Sequence, residues 1–236
     1  SVKINSGQFG KEAGSIIWDG EDVSELQFLD QGGEGRVEFW VRVKDEKATI
    51  ENPALETSVL VGKVAEDFRT KVNTKLDLAQ EAYYSEGAFE NSGPIPPESG
   101  EETTYTVKWT AENYYSDLKN TKVRAVLPYN VELTGEISPE REEENFTFDS
   151  ASREVVWSIG DGSPFRPEDS PRSISFQISL MPNSSQEGRA AEIIGRAELT
   201  GEDQWTDRVV QDTDPALDTT LPDDSSISSD EGIVQD

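Results

Sequence analysis

Short apolar runs that alternate with polar residues recur along this chain. Tyr105, Val107, Trp109 and Ala111 share one face of a segment whose other face carries Thr106, Lys108 and Thr110. Ile174, Phe176, Ile178 and Leu180 alternate with Ser175, Gln177 and Ser179, and Val37, Phe39, Val41 and Val43 alternate with Glu38, Trp40 and Arg42. A period of two predicts strands with one face in a core and the other in water. Further strands are predicted at Val123–Leu127, Glu154–Ile159, Ala191–Leu199 and Trp205–Val210. Turn-forming Gly, Pro, Ser, Thr, Asn and Asp separate them, so the pattern predicts an antiparallel sandwich. Only Glu66–Tyr84 competes for helix, because Val64, Phe68, Val72 and Leu76 recur every four residues. The β-branched Thr70, Val72 and Thr74, and the alternation of Val72, Thr74, Leu76 and Leu78, favour strand there.

Two stretches echo each other. Ser15-Ile16-Ile17-Trp18 resembles Glu154-Val155-Val156-Trp157, and Arg36–Val43 resembles Ser173–Leu180. Trp18 and Trp157 are 139 residues apart, Phe39 and Phe176 are 137 apart, and Phe68 falls 137 before Trp205. A near-constant offset predicts modules in series. Residues 1–72 read as the second half of a unit, 73–211 as a complete unit, and 212–236 as an acidic tail or the start of a further unit. On that reading the strand that should cover Ile16, Trp18, Phe39 and Val41 precedes Ser1.

Charge narrows the partners. The chain has 236 residues, with 21 Lys and Arg against 48 Asp and Glu, a net charge of −27. Nucleic acid and anionic membrane both require basic patches, so neither is expected as a partner. No apolar stretch is long enough to insert in a bilayer. With no Cys and no His, disulfides, Cys- and His-based zinc sites and Ser-His or Cys-His catalytic pairs are excluded.

The remaining chemistry is carboxylate and aromatic. Asp212, Asp214 and Asp218 crowd the junction after the complete unit, where Ca²⁺ could relieve the repulsion. They are the candidate metal ligands, and a higher melting temperature in Ca²⁺ is the corresponding expectation. No D-x-D-x-D-G loop accompanies them. Glu140–Glu144 reads as a solvated charged loop. Pro94-Ile95-Pro96-Pro97 reads as a stiff loop ahead of a strand. Trp40, on the polar face of its strand, and the outward members of the pairs Tyr83-Tyr84 and Tyr114-Tyr115, taken as Tyr84 and Tyr115, are candidates for ligand or inter-module contact. No pairing of carboxylates is specific enough among 48 to mark an enzyme, and none is expected.

The complete unit resembles the domain of unknown function eleven family, immunoglobulin-like repeats of bacterial and archaeal surface proteins. Gly100-Glu101-Glu102-Thr103-Thr104-Tyr105-Thr106-Val107 followed by Asn113 is similar to the family's opening strand. Val123–Val131, with Leu127-Pro128, and Val155–Gly160, with Trp157, are similar to its later motifs. Asn130 stands where the family often has Gly, and Val126 where it usually has Asp. The resemblance implies immunoglobulin-like sandwiches in tandem at the cell surface, with neighbouring modules as partners and no catalytic residues. The expected function is therefore a non-catalytic extracellular stalk, adhesin spacer or scaffold. The alternative is a module that binds a carbohydrate or a surface protein through its exposed aromatics.

Overall fold

The computed structural model describes residues 2–4, 8–10, 14–28, 30–41, 50–162 and 171–236, and every long element among them is a strand. Helix is limited to four 3₁₀ turns among the described residues. The chain divides into two compact units, Ser1–Ala48 and Thr49–Asp236.

The first unit contains β1 (Val2–Ile4), β2 (Gln8–Gly10), β3 (Ser15–Ile17) and β4 (Phe39–Val41). They form two separate antiparallel pairs, β1 with β4 and β2 with β3. The alternation expected to hide Val37, Phe39 and Val41 and expose Trp40 is not realised: all four are exposed. One partner strand cannot cover either face of β4. Arg42 and Val43 lie outside the described residues.

The second unit opens with a hairpin, β5 (Ala54–Val61) and β6 (Val64–Lys71), turning at Gly62-Lys63. It was expected to belong with residues 1–72, yet it falls in the second compact unit. The segment weighed between helix and strand is β6 and the next strand, β7 (Leu76–Tyr83).

Then follow β8 (Thr103–Asn113), β9 (Leu118–Val126), β10 (Val131–Ser138), β11 (Phe146–Asp149), β12 (Glu154–Gly162) and β13 (Arg172–Leu180). After them come β14 (Glu192–Ile194), β15 (Ala197–Asp203), β16 (Arg208–Asp214) and the short β17 (Leu217–Asp218). Two antiparallel sheets result, in the orders β10-β13-β8-β7 and β11-β12-β9-β15-β16. Lettering β7, β8, β9, β10, β13, β15 and β16 as A to G gives A-B-E-D on one sheet and C-F-G on the other. That is the immunoglobulin arrangement. The hairpin β11–β12 is inserted between D and E and extends the second sheet beyond C.

The predicted inward stripes meet between the sheets. Tyr105, Val107, Trp109, Val155, Trp157, Ile174, Phe176 and Ile178 belong to one buried cluster. Phe176 lies 5.0 Å from Trp109 and 4.7 Å from Phe146 by ring centroids. Buried aromatics of this size, in edge and tilted packing, dominate such a core.

Two strand boundaries differ from expectation. Trp205 lies in the turn between β15 and β16, because Asp203 accepts the Trp205 N–H at 2.8 Å and turns the chain there. The run Ala191–Leu199 is broken at Gly195-Arg196 into β14 and β15, where Gly195 N–H donates to the Val126 carbonyl.

Residues 212–236 form part of the sandwich. β17 pairs with β14, and Leu221 and Val234 enter the main core. Glycine is required at position 232, since a Cβ there would sit 2.3 Å from the Thr219 carbonyl oxygen. The expected tail is acidic but folded, because its apolar residues have a core to join.

Candidate functional site

Carboxylates are the commonest reactive groups in this chain, and β7 is where they gather. β7 is an edge strand: its odd-numbered side bonds to β8, and its other row of N–H groups points away from the sheet. An unpaired row of this kind invites edge-to-edge association. Here aspartates fill it. Thr74 N–H donates to Asp203 Oδ2 at 2.7 Å, Leu78 N–H to Asp212 Oδ2 at 2.8 Å, and Gln80 N–H to Asp214 Oδ2 at 2.6 Å. Ala82 N–H donates to Asp223, and Tyr84 and Ser85 N–H to Asp224 Oδ2 at 2.8 and 2.7 Å. Side chains from β15, β16 and the segment after β17 thus replace a pairing strand along the open side of the sandwich.

The ladder has an electrostatic consequence. Burial of the Asp224 carboxylate would raise its pKa, but the N–H groups of Ser85, Ser226, Tyr84 and Glu86 hold it below the ordinary value. Asp223 moves the opposite way, raised by partial desolvation of its carboxyl and by the charges of Glu81 and Asp214. Neighbouring links in one ladder therefore titrate in opposite directions.

The predicted calcium ligands do not converge. Asp212 and Asp214 are engaged by β7, while Asp218 accepts the N–H and hydroxyl of Thr220. Among the described residues no group of three carboxylates is placed to hold a metal ion.

The predicted aromatic contacts are also dispersed. Trp40 is exposed on β4 of the first unit. Tyr84 is half-buried at the end of β7, its hydroxyl donating to the Gly93 carbonyl at 2.8 Å. Tyr115 lies beyond the other end of the same strand, its ring 5.9 Å from that of Tyr114. The sequence motifs did not single out Tyr129, the most exposed aromatic among the described residues at 92%. It follows Pro128 in the β9–β10 turn, beside exposed Met181, whose N–H donates to Asn130 O at 3.0 Å. A shallow depression of mixed polarity crosses the outer face of the five-stranded sheet, lined by Asn120, Lys122, Ser158, Asp161, Glu202 and Val209 among others, with no aromatic residue in its lining.

The hairpin β5–β6 is fastened to the sandwich through Trp205. The indole N–H donates to Pro53 O at 2.9 Å, Lys71 Nζ donates to Trp205 O at 2.6 Å, and the Lys71 ammonium lies 4.5 Å from the ring centroid. An isolated two-stranded hairpin is marginal in water, so this anchor should govern its order. Trp205→Ala is expected to speed amide exchange across Val64–Lys71 and leave β8 and β13 unchanged. Equal protection of β6 with and without the indole would refute the anchor.

No family model matches the sequence, and no curated protein matches it. Solved structures do. The major pilin subunit BcpA (D312A) of Bacillus cereus is 15% identical over 70% of this chain and 47% of its own, with a TM-score of 0.39. The major pilin SpaD of Corynebacterium diphtheriae is 13% identical over 64% of this chain and 35% of its own, TM-score 0.38. The RrgA Jo.In complex is 8% identical over 67% and 80% of the two chains, TM-score 0.35. This chain spans less than half the length of either pilin.

Proposed function

We propose that this chain is a non-catalytic segment of a cell-surface protein, in which the complete sandwich acts as a spacer between neighbouring modules. One observation carries the reading: polypeptide enters and leaves the sandwich at opposite ends. Entry is through Lys75 into β7, beside the β8–β9 turn, where Tyr114 N–H donates to Lys75 O. Exit is beyond Val234 and Gln235, whose backbone is bonded to Pro97, Ser99 and Arg189. Those residues lie where β8 begins and β13 ends. A module threaded end to end adds its length to a series, whereas one with adjacent ends does not. The eleven residues of β8 amount to roughly 36 Å of reach at about 3.3 Å each.

Three other features fit a spacer. The aspartate ladder closes the edge through which such modules would aggregate, and net negative charge keeps an array soluble. Tyr129 and Met181 present apolar surface at the exit end, where a following module would sit. The chain has no Cys, so two introduced thiols can be labelled uniquely. Spin labels at Lys75→Cys and Asp236→Cys are expected to give one narrow distance distribution centred at about 30 Å or more. A broad distribution, or one below about 20 Å, would overturn the end-to-end reading.

A further inference from the structure

The two strand pairs of the first unit reproduce two pairs of the complete sandwich in the same register. In β2–β3, Phe9 faces Ile16 and Gln8 faces Ile17. In β11–β12, Phe148 faces Val155 and Thr147 faces Val156. All four residues shift by the same 139 positions. In β1–β4, Ile4 faces Phe39, as Ile137 faces Phe176 in β10–β13. Ile4 to Ile137 is 133 positions, six fewer than 139, and the complete unit carries the six-residue 3₁₀ turn Glu140–Asn145 between those pairs. Phe39 to Phe176 is 137 positions, so two registers, the six-residue insertion and a difference of two residues between the third and fourth strands account for the arrangement.

The counterparts differ in what lies on their other edge. β13 bonds β10 on one side and β8 on the other, and β12 bonds β11 and β9. Among the described residues β4 bonds only β1, and β3 only β2. The exposed side chains follow from that. Phe39 and Val41 are 39% and 51% exposed, while their counterparts Phe176 and Ile178 are fully buried, with Val107 and Tyr105 beside them on the neighbouring strand. Trp18 repeats the pattern. Its buried indole N–H has no acceptor among the described residues, whereas the Trp157 indole donates to Glu142 at 3.0 Å, from the inserted six.

We infer that the free edges of β4 and β3 are a docking surface for a strand pair of the β8–β9 type. The occupant is an extended polypeptide with a Tyr-x-Val-x-Trp stripe, bonding β4 as β8 bonds β13 and β3 as β9 bonds β12. In the complete unit β8 and β9 precede β10, so a pair supplied in cis would be joined ahead of β1. This rests on the modular reading above for strand order alone. The distance measurement there concerns only the complete sandwich, so either result can fail without the other.

The test extends the full chain by joining a copy of its residues 73–133 ahead of Ser1, which continues the repeat register into β1. Hydrogen exchange is read at Ile16, Ile17 and Phe39–Val41. Exchange at these amides is expected to slow about a hundredfold, as amides move from a fraying edge to the interior of a sheet. The same extension carrying Val107→Asp in the added copy should abolish this protection while the complete unit still melts at its original temperature. Unchanged exchange in the extended chain would overturn the inference. So would equal protection in the original chain, or a dimer of the original chain that Phe39→Asp dissolves, which would make a second copy the occupant.

Discussion

Asp224→Ala is expected to lower the melting temperature of the complete unit by about 6–12 °C. The carboxylate is 2% exposed and accepts short bonds from Tyr84 and Ser85 N–H, with Ser226 N–H on its second oxygen at 3.0 Å. Hydrogen bonds to a charged group contribute roughly 1.5–3 kcal/mol each, and buried donors left without an acceptor cost a similar amount. Allowing for water at the opened edge, the net loss is about 3 kcal/mol, and domains of this size shift by roughly 2–4 °C per kcal/mol. Calorimetry measures it directly. Exchange at Tyr84 and Ser85 should rise together with the loss.

The opposed pKa shifts give this prediction a sign test. Asp224 titrates lower in the folded chain than unfolded, so its contribution is full above the unfolded value of about 3.9 and disappears as pH falls through the folded one. Asp223 titrates higher when folded, so its charged form is a penalty above the folded pKa that is relieved as pH falls through it. Asparagine keeps an oxygen for the N–H donor and removes the charge at either position. Asp224→Asn should therefore destabilise at pH 7, and Asp223→Asn should stabilise. Both differences should shrink below about pH 4. Shifts of the same sign for the two variants would mean that the ladder does not set these carboxylates apart.

The ladder also marks a boundary of what could be read from sequence. The strands β8 and β13 were legible because each has neighbours on both sides and one face in the core, so alternation maps directly onto burial. In β4 the same alternation has nothing to act on, since among the described residues β4 has one neighbour and its side chains are exposed on both faces. Asp212 and Asp214 were legible as a cluster but not as acceptors. Sequence shows which side chains are acidic but not which backbone N–H groups an edge strand leaves free. The third repeat landmark failed for a related reason. Phe68 lies within β6 while Trp205 lies in a turn, because Asp203 ends β15 through its own side-chain bond. Trp205 then took a role that no periodicity encodes, as the anchor of a hairpin.

Glu142 is the residue where charge misled most. Within Glu140–Glu144 it was expected in water, yet its side chain is 2% exposed and sits in a 3₁₀ turn against the core. Trp157 supplies the reason: a fully buried indole N–H needs an acceptor, and Glu142 Oε2 is that acceptor at 3.0 Å. Arg172 donates to Oε1 at 2.7 Å. Burial alone would raise this carboxyl's pKa, but the Trp157 N–H and the Arg172 charge hold it below the ordinary value. Removing one member of a buried pair costs about 3–5 kcal/mol, and Arg172 keeps some access to water, so Glu142→Ala should cost about 3 kcal/mol. Glu142→Gln preserves an oxygen for the indole and should cost less. Trp157→Phe removes the N–H while keeping most of the ring, so Glu142→Ala should be less harmful in that background than in the native chain. The Glu142 contribution is present above pH about 4.3 and lost as pH falls through the lower folded value. Urea midpoints of the two single variants and the double variant decide it. Additive losses, or a Glu142→Ala cost below about 1 kcal/mol, would return Glu142 to the solvated loop that its neighbours suggest.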